Sequence, residues 1–316
     1  MKKNIIALLF MFCIPSWAEP LPLPESMSVE DAYQLGDLLV DQYKIKQGQP
    51  YLKYAADKGN AKAALAYSRS LSTNVMVLGP QEHEYAVKAA KLGNEDAMLT
   101  LSLSRNIFGD RFRSVLLNKL REKAAQGDAD AMRKLSILYF GTSKEVDWKK
   151  KAAEHGNATA QHELARYYEV GKGWFFIPGK REKEVKRLYK ASAEQGNFRG
   201  MEGYASIIYD EGNKKEALDI WTKMANTGDA TSIRFLAARY LHMVPQITYP
   251  EKDEVLGAAY SKIYLDSMGT DKKQSLYEIY KENYLEVMSH LSEAQKKQVN
   301  DFAADYLKTH TVRVLD

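Results

Sequence analysis

Cysteine is nearly absent from this 316-residue chain: the only one is Cys13. It lies in an N-terminal stretch with the features of a secretory signal. Lys2 and Lys3 form a charged start, an apolar run follows within Asn4 to Ile14, and Ser16-Trp17-Ala18 places small residues where a signal peptidase cuts. Cleavage near Ala18 removes the one thiol. Disulfides, cysteine-ligated zinc and thiol catalysis are then excluded from the exported chain. An acylated Cys13 is the rival reading, but Met11 and Phe12 stand where lipoprotein signals carry small residues.

Long apolar runs are equally scarce. The N-terminal run is short for a bilayer-spanning helix, and no later segment is long and apolar enough, so a soluble exported product is expected. Charge bias is missing too. Without Lys2 and Lys3, 43 basic side chains face 41 acidic ones, a net charge of +2. So weak a balance gives no reason to propose nucleic acid or an anionic membrane as partner. A charged fraction of 27% and a hydrophobic fraction of 45% are ordinary for globular chains, which argues against a disordered or fibrous one. Nucleophile signatures of the G-x-S-x-G or S-x-x-K type are absent, and Gly171-Lys172-Gly173 lacks the rest of any phosphate loop.

What the chain does have is a repeat. Gly followed by Asn or Asp occurs at Gly59-Asn60, Gly93-Asn94, Gly127-Asp128, Gly156-Asn157, Gly196-Asn197 and Gly228-Asp229, with glycine spacings of 34, 34, 29, 40 and 32. Those periods belong to helix-turn-helix repeats. Alanines precede most tags, as in Ala55-Ala56 and Ala152-Ala153. A bulky residue lies about two turns earlier, as in Tyr51, Tyr85, Leu120, Trp148, Tyr189 and Trp221. The fourth residue after each glycine is small (Ala63, Ala97, Ala131, Ala160, Gly200, Ser232), and the eighth is larger (Tyr67, Leu101, Leu135, Leu164, Tyr204, Leu236). Glycine ends one helix in a left-handed conformation, and the adjoining Asn or Asp caps the next. Small residues let the paired helices approach, and the large ones fill the seam between repeats.

The run Gly156-Asn157-Ala158-x-Ala160-Gln161-x-x-Leu164-Ala165-x-x-Tyr168-x-x-Gly171-x-Gly173, preceded by Trp148 and Ala152-Ala153, resembles the Sel-one-like repeat, a relative of the tetratricopeptide repeat. The second repeat departs furthest, with Arg105 in place of the late aromatic. The third is one residue short before Gly127. The resemblance implies an all-α, right-handed α-solenoid that binds protein partners through its concave surface and inter-repeat loops. It implies no catalysis, no cofactor and no metal. Some secreted relatives have been assigned cell-wall or β-lactam chemistry, so a periplasmic enzyme is the first alternative. A carbohydrate or peptidoglycan binder using exposed aromatics is the second.

Four segments follow: a signal over 1–18, a leader and N-terminal capping helix over 19–47, six repeats over 48–243, and a C-terminal helical cap over 244–316. Ser28 is expected to open a helix running to about Lys46. Beyond Pro245 and Pro250, helices are expected near Asp253 to Met268 and near Lys273 to Ser289. Ser292-Glu293-Ala294-Gln295 forms a capping box for a last helix ending about Lys308.

Chemistry is sought at two places. His162-Glu163-Leu164-Ala165-Arg166 approaches the H-E-x-x-H zinc signature, but Arg166 cannot ligate a metal, and His162 and Glu163 occupy variable repeat positions. A surface pair is expected there. His155 precedes a capping glycine, where a cation suits the end of a helix. The second place is the longest inter-repeat interval, which contains Trp174, Phe175 and Phe176. These three are candidate partner-binding residues, although Trp174 is expected to pack inward at an inter-repeat apolar position. Tyr277, Tyr280 and Tyr284 recur on one stripe of a C-terminal helix, as core or as a docking face.

Overall fold

The computed structural model describes residues 21–72, 79–103, 107–244 and 248–315, with the side chains of 107 and 108 left aside. The signal segment with Cys13 and Ala18, Arg105 and Pro245 lie outside the described residues. Among the described residues, sixteen α-helices run in chain order as α1 (Val29–Asp41), α2 (Ile45–Asp57), α3 (Ala61–Ser70), α4 (Pro80–Lys91), α5 (Glu95–Ser102), α6 (Ile107–Ala125), α7 (Ala129–Leu138) and α8 (Ser143–Glu154). They continue as α9 (Ala158–Glu169), α10 (Lys180–Glu194), α11 (Phe198–Asp210), α12 (Lys214–Ala225), α13 (Ala230–Tyr240), α14 (Glu254–Ser267), α15 (Gln274–His290) and α16 (Glu293–Thr309). The protein is all-α, and its repeats are helix pairs from α2–α3 to α12–α13.

All six repeat tags work as the sequence implies. Gly156 takes φ of +85° and ends α8, and the Asn157 N–H reaches back to the Ala152 carbonyl at 2.9 Å. The Asn157 side chain then accepts from the Ala160 N–H at 2.8 Å and opens α9. Asn60, Asn94, Asp128, Asn197 and Asp229 cap their helices in the same way, on the N–H of Ala63, Ala97, Ala131, Gly200 and Ser232. The small fourth residue therefore both donates to the cap and sits buried in the seam. Replacing Asn157 by Ala removes one such acceptor, with an expected cost of about 1 kcal/mol in urea unfolding. Asn157→Asp is expected to keep most of the stability. The same dipeptide recurs at Gly212-Asn213, outside the repeat spacing, where it turns α11 into α12: the Asn213 N–H meets the Ile208 carbonyl at 2.8 Å.

The chain divides into two compact units. One covers 55–221 and carries repeat helices from α3 to α11. Its core joins Leu116 and Leu120 of α6, Leu135 and Leu138 of α7, Leu164 and Tyr168 of α9, and Leu188 and Tyr189 of α10. Neighbouring helices approach closely where the repeat has small residues. A Cβ added at Gly200 would lie 2.3 Å from the Ser192 hydroxyl oxygen, so α10 and α11 touch nearly backbone to side chain there.

The other unit covers 1–54 and 222–315. Segments that the sequence assigns separately to an N-terminal cap, the sixth repeat and a C-terminal cap are thus joined in one body. Ser28 caps α1 as expected, but α1 stops at Asp41 rather than near Lys46. Tyr43 turns the chain with φ of +59° and α2 starts at Ile45. The break is secured from far along the chain. The Gly269 and Asp271 N–H groups donate to the Gln42 and Tyr43 carbonyls at 2.6 and 3.1 Å, and the Asp271 carboxylate accepts from the Lys46 N–H at 2.9 Å. Helices α14, α15 and α16 fall close to their expected limits, with Asp253 and Ser292 as caps and the capping box completed by Gln295.

The last residues form no helix. Arg313 pairs with the sixth repeat junction, its N–H on the Gly228 carbonyl at 3.0 Å and its carbonyl on the Ala230 N–H at 2.9 Å. Its guanidinium reaches Asp37 at 2.8 Å and also bonds Asp41, both on α1. The Gln42 amide donates to the Val312 carbonyl at 2.8 Å, and the Leu315 N–H to the Asp229 carboxylate at 3.2 Å.

Candidate functional site

Among the described residues, the interval between α9 and α10 holds two strongly exposed aromatic side chains. Trp174 is 90% and Phe176 89% exposed, and Ile177 is exposed beside them. The expected inward packing of Trp174 is therefore incorrect. Its neighbour takes the inward place. Phe175 is half-buried, its ring edge-on to Tyr168 with centroids 4.9 Å apart, and it joins the apolar core around α9. The half-buried middle aromatic thus stands between two exposed ones.

The loop is braced rather than loose. The Arg181 guanidinium donates to the carbonyls of Tyr168 at 3.0 Å, Lys172 at 2.6 Å and Gly173 at 3.0 Å. Those carbonyls belong to the end of α9 and the turn after it, where acceptors lack helical donors. The same guanidinium lies 4.9 Å from the centre of the Phe175 ring. At Gly173, φ is +79° and a Cβ would stand 2.9 Å from the Tyr168 ring, so only glycine lets the chain turn this close to that ring. Truncation separates the roles of the aromatics. Phe175→Ala is expected to cost about 1–2 kcal/mol in thermal or urea unfolding, because a half-buried ring is lost from the core. Trp174→Ala is expected to stay within about 0.5 kcal/mol of the parent.

His162 is a second correction. It is only 9% exposed, not a surface residue, with its ring 5.9 Å from that of Tyr189. Helix α9 packs against α8, α10 and α11, so its buried arc is wider than one stripe and includes a position that varies in the repeat. Burial, and then the Arg199 and Arg166 charges, lower the imidazole pKa to about 4. Tyr189 donates to the Glu169 carboxylate at 2.8 Å, and burial with that carboxylate pushes its phenol up. Glu163 is half-buried and pairs with Arg133 of α7 at 3.3 Å. His162 and Glu163 thus face different neighbours and form no catalytic pair. Among the described residues no group of three or more His, Cys, Asp or Glu is placed to hold a metal ion.

The other strongly perturbed acid is also structural. Burial alone would raise Glu95, but hydrogen bonds from Lys123 and Lys119 and the charge of Lys134 hold it at about 2. Its contacts, 2.7 Å to Lys123 and 2.9 Å to Lys119, tie α5 to α6, and Lys134 brings in α7 at 3.4 Å. His155, ahead of the fourth tag, has Nδ1 2.9 Å from the Lys151 carbonyl oxygen at the end of α8.

On α15, Tyr280 packs into the core, and Tyr277 and Tyr284 are half-buried against it. Tyr280 is 4% exposed, with its ring 5.6 Å from Tyr264 and the Arg234 guanidinium 5.6 Å from its centre. Tyr277 donates to the Leu265 carbonyl at 3.2 Å, and Tyr284 packs into the cluster of Leu241, Val287 and Val299. Of the six candidate positions, Trp174 and Phe176 present their rings to solvent. Arg181 is the functional neighbour that sequence reasoning missed. A cation in the first turn of a helix, where the dipole disfavours it, was the available signal.

Compared with models of known protein families and with curated proteins, the chain matches none. Among the solved structures similar to it are two repeat proteins. One is a protective antigen present in uropathogenic Escherichia coli strains, described as displaying an SLR fold, with 18% identity and a TM-score of 0.49. The match covers 91% of this chain and 62% of that one, so the chain spans less than two thirds of the antigen's length. The other is a Sel1 repeat protein from Oxalobacter formigenes, with 16% identity, a TM-score of 0.42, and 93% and 98% of the two chains covered. Both carry the type of repeat that the Gly156 to Gly173 run resembles.

Proposed function

We propose that this protein is a non-catalytic scaffold that binds other proteins in the bacterial periplasm, after export and cleavage near Ala18. One observation carries the proposal. In the unit over 55–221, the residues that define the repeat are drawn into the seams, so the exposed side chains between them are what successive helices offer for recognition. Strongly perturbed groups such as His162, Glu95 and Tyr189 serve those seams, which supports a binding role over acid–base chemistry. No helix among the described residues is long and apolar enough to cross a membrane.

The test is capture from envelope extract with the chain beginning at Glu19, followed by calorimetric titration with each captured protein after purification. A saturable complex of defined stoichiometry is the expected result. Absence of any protein that binds saturably in purified form overturns the reading. Cell fractionation with a C-terminal epitope tests the location, and cytoplasmic retention would refute export.

A further inference from the structure

The loop Gly173–Gly179 leads into a helix start with little local support. Helix α10 starts from Gly179, which offers no side-chain acceptor, as α4 starts from Gly79. Lys180, Arg181 and Lys183 occupy the first four positions of α10, where the helix dipole disfavours cations. Arg181 has a structural reason, because it holds the carbonyls at the end of α9. Lys180 and Lys183 have none of that kind. Both are exposed, as is Lys172 on the other side of the loop. Beside these three ammonium groups Glu182 is exposed, while the Glu184 carboxylate is taken by the Arg187 guanidinium at 2.7 and 2.8 Å and the exposed Glu169 at the end of α9 accepts from the Tyr189 hydroxyl at 2.8 Å. Departures from local consistency of this sort concentrate where a surface serves something other than folding.

Between the lysines project Trp174, Phe176 and Ile177. The first two stand clear of the protein, and among the three only the Trp174 indole N–H can make a hydrogen bond. A sugar-binding platform needs convergent polar groups beside its ring, and the segment Gly173–Gly179 carries no polar side chain besides the Trp174 indole. An apolar tip with one indole and a collar of cations instead matches the boundary between lipid headgroups and acyl chains. Aromatic rings favour that zone, and lysines meet anionic headgroups there.

We infer that the Gly173–Gly179 loop is a membrane-interface anchor, which inserts Trp174, Phe176 and Ile177 into an anionic bilayer surface while Lys172, Lys180 and Lys183 contact the headgroups. The whole-chain net charge of +2 conceals this local arrangement. The inference goes beyond the scaffold reading and requires no protein partner. It assigns one loop to lipid and leaves the helix faces for other contacts.

The experiment is co-sedimentation of the chain from Glu19 with vesicles of phosphatidylethanolamine and phosphatidylglycerol, against vesicles of phosphatidylcholine alone. Binding to the anionic vesicles is expected, weakening as salt screens the lysines. The Trp174→Ala/Phe176→Ala double variant is expected to lose more than about tenfold in partitioning. Lys180→Gln/Lys183→Gln is expected to lose roughly twenty-five-fold, at about fivefold per lysine. Both should melt like the parent, and the lysine variant keeps the aromatic tip intact, so misfolding does not mimic the result. Tryptophan emission should shift to the blue on binding, and Trp174→Phe should sediment but show no shift. The proposal is overturned by failure to sediment with anionic vesicles or by equal sedimentation of the parent and double variants. It is also overturned by preference for peptidoglycan sacculi or a purified acidic protein over the vesicles.

Discussion

Between pH 6.5 and pH 4 the protein is expected to lose about 2–3 kcal/mol of stability at one residue, His162. In the unfolded chain this imidazole takes up a proton near its ordinary value of 6.5, whereas burial beside Tyr189 and the charges of Arg199 and Arg166 hold it neutral in the fold down to about 4. The unfolded state therefore binds more protons throughout that window, and stability falls as the pH falls. Glu95 acts lower on the scale. Its carboxylate is held at about 2 against an ordinary 4.5, so its stabilising contribution is complete above 4.5 and fades as the pH falls toward 2. With a side chain that is partly solvated, about 1–2 kcal/mol is expected there. Urea unfolding at a series of pH values separates the two. His162→Leu should flatten the upper window and leave the lower one unchanged, and Glu95→Gln should do the reverse. Parallel loss of stability by the parent and His162→Leu between pH 6.5 and 4 would contradict the assignment.

Removing the last residues should have an effect at least as large. Truncation after His310 deletes Val312, which is fully buried, and the Arg313 backbone that pairs with Gly228 and Ala230. It also leaves the Asp37 and Asp41 carboxylates facing each other without the guanidinium between them. Loss of the buried valine, two backbone hydrogen bonds and a half-buried ion-pair cluster together points to about 3–5 kcal/mol. The loss belongs to the unit that contains α1, α13 and α14. Hydrogen exchange should thus speed up in α1 and at the start of α13, while amides of α7 and α9 keep their protection. Arg313→Ala alone should cost about 2 kcal/mol and produce the same pattern in weaker form. Unchanged exchange in α1 after truncation would mean that the tail rests on the unit without securing it.

Legibility of the sequence tracked the range of each interaction. The junction at Gly156-Asn157 involves partners within five residues, Ala152, Ala153 and Ala160, so fixed spacing and residue type reveal it in full. The capping box at Ser292 is as local, and it was equally readable. His162 fails that test, because its burial depends on how many helices surround α9, and a single repeat does not state this. Trp174 was misplaced for a related reason. One inward aromatic was expected at the interval, and the choice among three neighbours turned on Arg181 and Tyr168 together, which put Phe175 inside. The stripe of Tyr277, Tyr280 and Tyr284 has helical periodicity whether it faces a partner or a core. Only the packing against Tyr264 and Leu241 decides between the two.

The sequence by itself therefore determined the helix pairs, their caps and the small residues that let them pack, because each rests on backbone chemistry repeated within a few residues. The tertiary structure alone decided which titratable groups lose contact with water, which loop aromatics stay outside, and how the ends of the chain are held. Arg313 meets Asp37 and Asp41 across 276 and 272 residues, and Asp271 caps α2 across 225. Contacts at such separations follow no period and leave no local mark. Their energies depend on burial, and burial exists only once the helices have packed.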